Sequence, residues 1–200
     1  QETDFRDLAE EAEVFAKAGI PYIEPELREG PGAVDRALAG DRKPLIEVEE
    51  VRGVLHAHST YSDGINSLRE MAEYSRDRGY EYLGITDHSK SAFYANGLKE
   101  DRLRRQWAEI DVLNEELAPF KIYKGIESDI LNDGSLDYPA DLLQEFDFII
   151  ASVHSNLRMD QTKATKRLLA AIANPYTTML GHPTGRLLLA REGYPIDHRA

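Results

Sequence analysis

The chain has 200 residues, a net charge of -12 and no cysteine. That length fits one domain with a flanking piece and is enough to bury a sizeable core. The charge argues against nucleic-acid binding through the overall field, because non-specific binders are usually basic. Zero cysteine excludes disulfides and thiolate metal sites and leaves His, Asp and Glu as the strong ligands.

No stretch approaches the length of a membrane span, and no basic-then-apolar leader opens the chain. A cytoplasmic location is the plain expectation, with no membrane partner.

Residues 1–50 carry no chemical motif. An acidic amphipathic segment runs from Asp7 to Lys17. The stretch GIPYIEPELREG follows, then a short helix-like segment from Ala33 to Leu38, with Pro21, Pro25, Pro31 and Pro44 as punctuation. This part reads as a helical linker or the tail of another module.

From Val51 a repeating order takes over: a short aliphatic or β-branched run, a loop, then a segment of helical period. The strand expectations are Gly53–Leu55, Tyr82–Thr86, Lys121–Ile126, Phe148–Val153 and Thr178–Leu180. Ser67-Leu-Arg-Glu70 is a capping box that opens a helix ending near Gly79. A second helix is expected from Glu100 to Leu117, with Leu103, Trp107, Ile110, Leu113 and Leu117 on one stripe. A third spans Gln161 to Ala173 and stops at Asn174-Pro175. Alternating strands and helices imply an α/β fold with a mainly parallel sheet, open or closed into a barrel.

The histidines fall at the ends of these strands. His56 and His58 end the first and His88 the second. Glu127 ends the third, His154 the fourth and His182 the fifth. Asp63 follows His58 in the first loop. Carboxyl ends of parallel strands share one face, where active sites collect. Imidazole and carboxylate together suit Zn, Mn or Fe. His56 and His58 point to one side of an extended segment and can share an ion. A glutamate offers two oxygens and can bridge two ions, and paired metals support phosphoryl transfer.

A single histidine at a strand end is usually a cap or a surface residue. Five strand ends in series point to a cluster. His198, near the terminus, reads as surface. Asp87 reads as a residue that orients a ligand rather than one that binds the ion. Arg186 is a candidate for a bidentate phosphate contact, weighed evenly against an ordinary surface arginine. Lys90 and Arg158 are weaker candidates for polyanion contacts. Ser59, Ser89 and Ser155 each follow a histidine without a nucleophile elbow, and hydrogen bonds within the site explain them better. Asp129 to Gly134 lacks calcium-loop spacing and reads as a turn-rich loop.

The motifs HAHSTYSDG, TDHS and SVHS, with the glutamate of GIE and the histidine of GHP, resemble the PHP (polymerase and histidinol phosphatase) domain over residues 51–200. GIESDILNDGSLDYP, NPYTTMLGHPTGRLLLAREGY and the preceding IPYIEPELREG resemble the carboxyl-terminal part of a bacterial family X DNA polymerase. The resemblance implies a distorted (βα)7 barrel with two or three divalent ions (Mn, Zn or Fe) at its carboxyl face. His56, His58 and Glu127 would hold one ion, Glu127, His154 and His182 a second, and Asp63 and His88 a third.

The resemblance also implies phosphoester hydrolysis at DNA 3′ ends; the candidate catalytic residues are His56, His58, Glu127, His154 and, from its place beyond His182, Arg186. The polymerase module would lie in the same polypeptide, with residues 1–50 as its end and linker. The family's closing Asp-x-His has no counterpart here, since Asp197-His198 lacks the spacer. On that pattern the barrel is expected to be incomplete at its C-terminus. A histidinol-phosphate-type phosphomonoesterase and a metal-stabilised, non-catalytic scaffold are the rival expectations.

Overall fold

The computed structural model describes residues 8–41 and 44–200. Asp7, the first residue of the expected Asp7–Lys17 segment, lies outside the described part. Two compact units are present, Gln1–Glu50 and Val51–Ala200.

In the first unit the acidic segment forms α1 (Glu11–Lys17), and α2 (Ala33–Leu38) has the expected bounds. Between them, Arg28 pairs with Glu11 at 2.7 Å and lies over the rings of Phe15 and Tyr22.

The second unit runs β1 (Gly53–Ala57), α3 (Leu68–Asp77), β2 (Tyr82–Ile85), α4 (Glu100–Glu116), β3 (Lys121–Asp129), α5 (Ala140–Leu143), β4 (Phe148–Ser152), α6 (Gln161–Ile172) and β5 (Met179–Leu180). The five described strands are parallel and lie in sequence order, curled into a half-barrel. This simple order follows from the alternation of strand and helix, because each helix returns the chain to start the next parallel strand.

The three longer helices of this unit form where the sequence pattern places them. Ser67 accepts from the Glu70 N–H while the Glu70 carboxylate accepts from the Ser67 N–H, so both halves of the capping box are made. Asp160 caps α6 through the Lys163 N–H. On α4 the residues Leu103, Trp107, Ile110 and Leu113 are buried, and Leu117 just beyond it is buried too. Complete burial of Leu103, Ile110 and Leu113 contributes roughly 1.5–3 kcal/mol each. Trp107 meets Phe146 edge to face at 5.0 Å.

Two expectations need correction, and one helix is added. β3 continues past Ile126 to Asp129, so Glu127 lies within the strand and not at its end. Asp129 belongs to that strand, paired with Ser152 of β4, and is not part of a turn-rich loop. The run Glu-Ser-Asp is polar yet buried, which hides a strand from a reading based on apolar runs. The short helix α5 was not anticipated. Four residues are too few to show a period, although Leu142 and Leu143 are buried.

Candidate metal centre

Each histidine of the cluster is placed by the end of a strand. The register of β1 shifts between Val54 and Ala57, around His56. Such irregularities re-aim side chains. His58 follows directly, and both imidazoles turn to the same side, their ring centroids 5.3 Å apart. Gly64 closes the loop that carries Asp63. A Cβ there would collide with the carbonyl oxygen of His58. His88 pairs with Glu127 through a parallel bridge that extends the β2–β3 seam. His154 and His182 each lie two residues past β4 and β5. His182 has a positive φ of 25°, a conformation an L-residue rarely adopts. Gly181 before it leaves room for Ser152 and Glu127.

Glu127 is the hub. It is 1% exposed and has no Lys or Arg partner among the described residues. Three imidazole nitrogens surround Oε1: His182 Nε2 at 2.9 Å, His154 Nε2 at 3.2 Å and His56 Nε2 at 3.4 Å. Two face Oε2: His88 Nδ1 at 3.2 Å and His58 Nε2 at 3.5 Å. Asp63 stands at the rim, 3.7 Å from His58 Nδ1 and 3.6 Å from His88 Nε2. All seven residues expected as ligands therefore converge.

The donor set fits divalent metal. Nε2 of His154 and Nε2 of His182 approach to 3.3 Å while both face the same carboxylate oxygen. Two neutral acceptor nitrogens cannot satisfy one another, so a proton or a cation is required between them. Among the described residues the buried Nδ1 atoms of His58 and His88 have no partner in hydrogen-bond geometry, an arrangement that costs free energy unless something else takes the lone pair. Three groups have ligand atoms within 4.8 Å of one another: His56, His58 and Glu127; His58, Asp63 and His88; and His88, Glu127 and His154. Glu127, His154 and His182 converge at the distances given above. His88 is thus more central than its expected pairing with Asp63 alone.

Electrostatics follow from this packing. Burial works against the charge on Glu127, but hydrogen bonds from His154, His182 and His56 outweigh it and hold the carboxyl far below the usual range. Burial likewise opposes a charge on His154. Its bonds to Asp129 and Glu127 win and push it up to about 9. His88 goes the other way. Burial pulls its pKa down, and the negative charge of Glu127 does not compensate.

Two residues behind the ligands fix their geometry. Asp129 Oδ1 lies 2.5 Å from His154 Nδ1. If Nδ1 carries the proton it donates to Asp129, and the Nε2 lone pair faces the cluster. Asp129 is the functional residue that the sequence reading missed. Asp87, read as an orienter, is completely buried and accepts from Ser59 N, Ser59 Oγ, Ser62 N, Ser62 Oγ and Gln106 Nε2. It orders the loop between His58 and Asp63 and touches no imidazole in these contacts.

The remaining candidates divide. Ser59 Oγ donates to Asp87, and Ser89 Oγ accepts from the Asp129 N–H, as expected of site hydrogen bonds. Ser155 differs: its backbone carbonyl accepts from Arg167, and its hydroxyl has no partner among the described residues. Arg186 is exposed, with no hydrogen bond or ion pair among the described residues. Lys90 lies over the Tyr138 ring at 5.2 Å. Arg158 and His198 are exposed. No described helix is long and apolar enough to cross a membrane.

Comparison with known proteins agrees with this geometry. The chain is 46% identical over 194 residues to the DNA polymerase/3′-5′ exonuclease PolX of Bacillus subtilis, covering 97% of this chain and 34% of that protein. It is 31% identical over 150 residues to a probable phosphatase of Thermoanaerobacter sp. (strain X514), covering 71% of this chain and 55% of the relative. A probable phosphatase of Caldanaerobacter subterraneus is 30% identical over 161 residues, at 74% and 56% coverage. The chain thus spans about a third of the polymerase and just over half of each phosphatase. The PHP domain model matches residues 55–197, across every strand that carries a cluster residue, and the chain belongs to the PHP domain family.

Proposed function

We propose that this chain is a metal-dependent phosphoesterase that hydrolyses phosphodiesters at DNA 3′ ends, and that it works beside a polymerase module in the same polypeptide. The observation that carries the reading is the buried Glu127 carboxylate, with imidazole nitrogens facing each of its two oxygens. Such a carboxylate can join neighbouring cations. Divalent ions, when bound there, supply an activated water and offset the charge that builds on the phosphoryl oxygens.

The chain's own residues have distinct tasks in this account. His56, His58, His154 and His182 present nitrogens around Glu127, and His88 and Asp63 extend the set towards the rim. Asp129 holds the proton of His154 on Nδ1, which keeps Nε2 available. Asp87 fixes the loop between His58 and Asp63. Arg186, exposed four residues beyond His182, supplies the guanidinium for a substrate phosphate. Mn, Zn or Fe suit this mixture of imidazole and carboxylate.

The diester reading is favoured by the extent of similarity. A match of 194 residues out of 200 must include most of residues 1–50, so the likeness to the polymerase runs through both units. The phosphatase matches cover about the length of the second unit alone. Residues 1–50 are then the end of a polymerase module and its linker. A phosphomonoesterase is the second reading, supported by those phosphatases.

A substrate panel separates the two. With Mn²⁺ added, single-stranded oligonucleotides with a free 3′ end should be shortened, and small sugar phosphates should be poor substrates. Rapid turnover of the monoesters with intact oligonucleotides would favour the second reading. Metal-dependent stability without turnover of either class would favour the non-catalytic scaffold.

A further inference from the structure

The segment between His88 and Leu98 inverts the usual arrangement of side chains. Ala92, Ala95 and Leu98 are buried at 0–1% exposure, while Phe93 and Tyr94 are 85% and 72% exposed. Large exposed aromatic rings beside a polar site are an informative departure from ordinary burial. They sit on a tight 3-10 turn, Phe93–Ala95, ended by Asn96 in the left-handed conformation.

The turn is held at several points. The Leu98 N–H donates to the His88 carbonyl and the Gly97 N–H to the Ala92 carbonyl, at 2.8 and 3.0 Å. The Asn96 side-chain amide donates to the carbonyls of Tyr61 and Ser62, each at 3.3 Å. A Cβ at Gly97 would collide with the Ser89 carbonyl oxygen. Two rings are therefore presented on a fixed backbone.

Their position relates them to the cluster. The Tyr94 ring centroid is 6.2 Å from that of His88 and 6.5 Å from that of His154. Phe93, one residue earlier, lines a concavity of about 570 Å³ with Lys90, Lys99, Glu100, Asp101 and Asp137. That volume lies within the range of small-ligand sites. Two of its acids are already engaged: Asp101 pairs with Arg105, and Asp137 accepts from the Ser91 N–H.

We infer that Phe93 and Tyr94 form a stacking platform for the nucleobases of a single-stranded substrate whose scissile phosphate lies at the cluster. Base–aromatic stacking needs no particular sequence and no net positive field, which suits an acidic protein. Lys90 and Lys99 line the same concavity and are the cations there that can meet the strand's phosphates. The inference rests on the phosphoesterase reading for its orientation and narrows the substrate to one that carries bases. A sugar phosphate would gain nothing from the two rings.

The test reads binding, so it stands apart from turnover. Fluorescence anisotropy would compare a short labelled oligothymidylate with the same strand made abasic at its two 3′-terminal nucleotides. The wild-type chain should bind the base-bearing strand about tenfold more tightly, a modest return for stacking on an aromatic surface. Phe93→Ala and Tyr94→Ala should each shrink that preference, and Phe93→Trp should retain it. Equal binding of the two strands, binding of neither, or an unchanged preference in both alanine variants overturns the platform. A base preference without hydrolysis under any metal would leave the platform standing and overturn the phosphoesterase reading.

Discussion

Asp129 and His154 form the closest pair at the cluster, Oδ1 to Nδ1 at 2.5 Å, with both side chains almost wholly buried. One faces the ligand sphere only through the other. With Nδ1 as the donor to Asp129, the carboxylate would act on the centre by keeping the Nε2 lone pair of His154 free.

Asp129→Ala should therefore weaken Mn²⁺ binding by about 10–100-fold, the usual cost of losing a partner that orients a ligand. Titration against a chelating indicator would measure it. Asp129→Asn keeps an oxygen acceptor and should lose less. Equal affinity in wild type and both variants would show that His154 needs no orienting partner.

The same pair gives the chelator-treated protein a distinct pH dependence. The folded-state pKa of His154 is about 9, above its ordinary value of 6.5. The stabilising contact of the cation with Asp129 and Glu127 is thus complete below about 6.5 and is lost as pH rises through about 9. Thermal melts between those values should fall with rising pH, and Asp129→Ala should flatten the trend. Metal affinity should change in the opposite sense and increase with pH, because a bound ion needs the imidazole neutral.

Asp87 predicts a stability effect. It accepts from five donors and is fully buried. Asp87→Ala leaves the Ser59 N–H, the Ser59 hydroxyl and the Gln106 amide without an acceptor, while Ser62 keeps the Ser59 carbonyl and Asp63, and it should cost about 2–4 kcal/mol. Urea denaturation measures this directly. A loss below about 0.5 kcal/mol would mean that the loop from His58 to Asp63 is ordered by other contacts.

These residues also show what was legible in the sequence. The strand–helix alternation and the position of each histidine could be read because apolar runs end abruptly at His58, His88, His154 and His182. The helices could be read from caps and stripes, and Ser67, Glu70 and Leu103 behave as their pattern implies. Asp129 could not, because a buried polar strand end has neither an apolar run nor a period. Its partner lies 25 residues away, and only the β3–β4 register brings the two together. The aromatic pair Phe93–Tyr94 gave no signal for a related reason. Exposure of a ring is a tertiary property, and in the sequence the two look like core residues of a short apolar run.

Glu127, with imidazoles on both of its oxygens, is expected to join more than one cation. The most direct test is the number of Mn²⁺ ions bound per chain at equilibrium, in the wild type and in Glu127→Ala. More than one ion is expected in the wild type, with a loss of all, or all but one, in the variant. A single ion in the wild type, or the same number in both proteins, would contradict it.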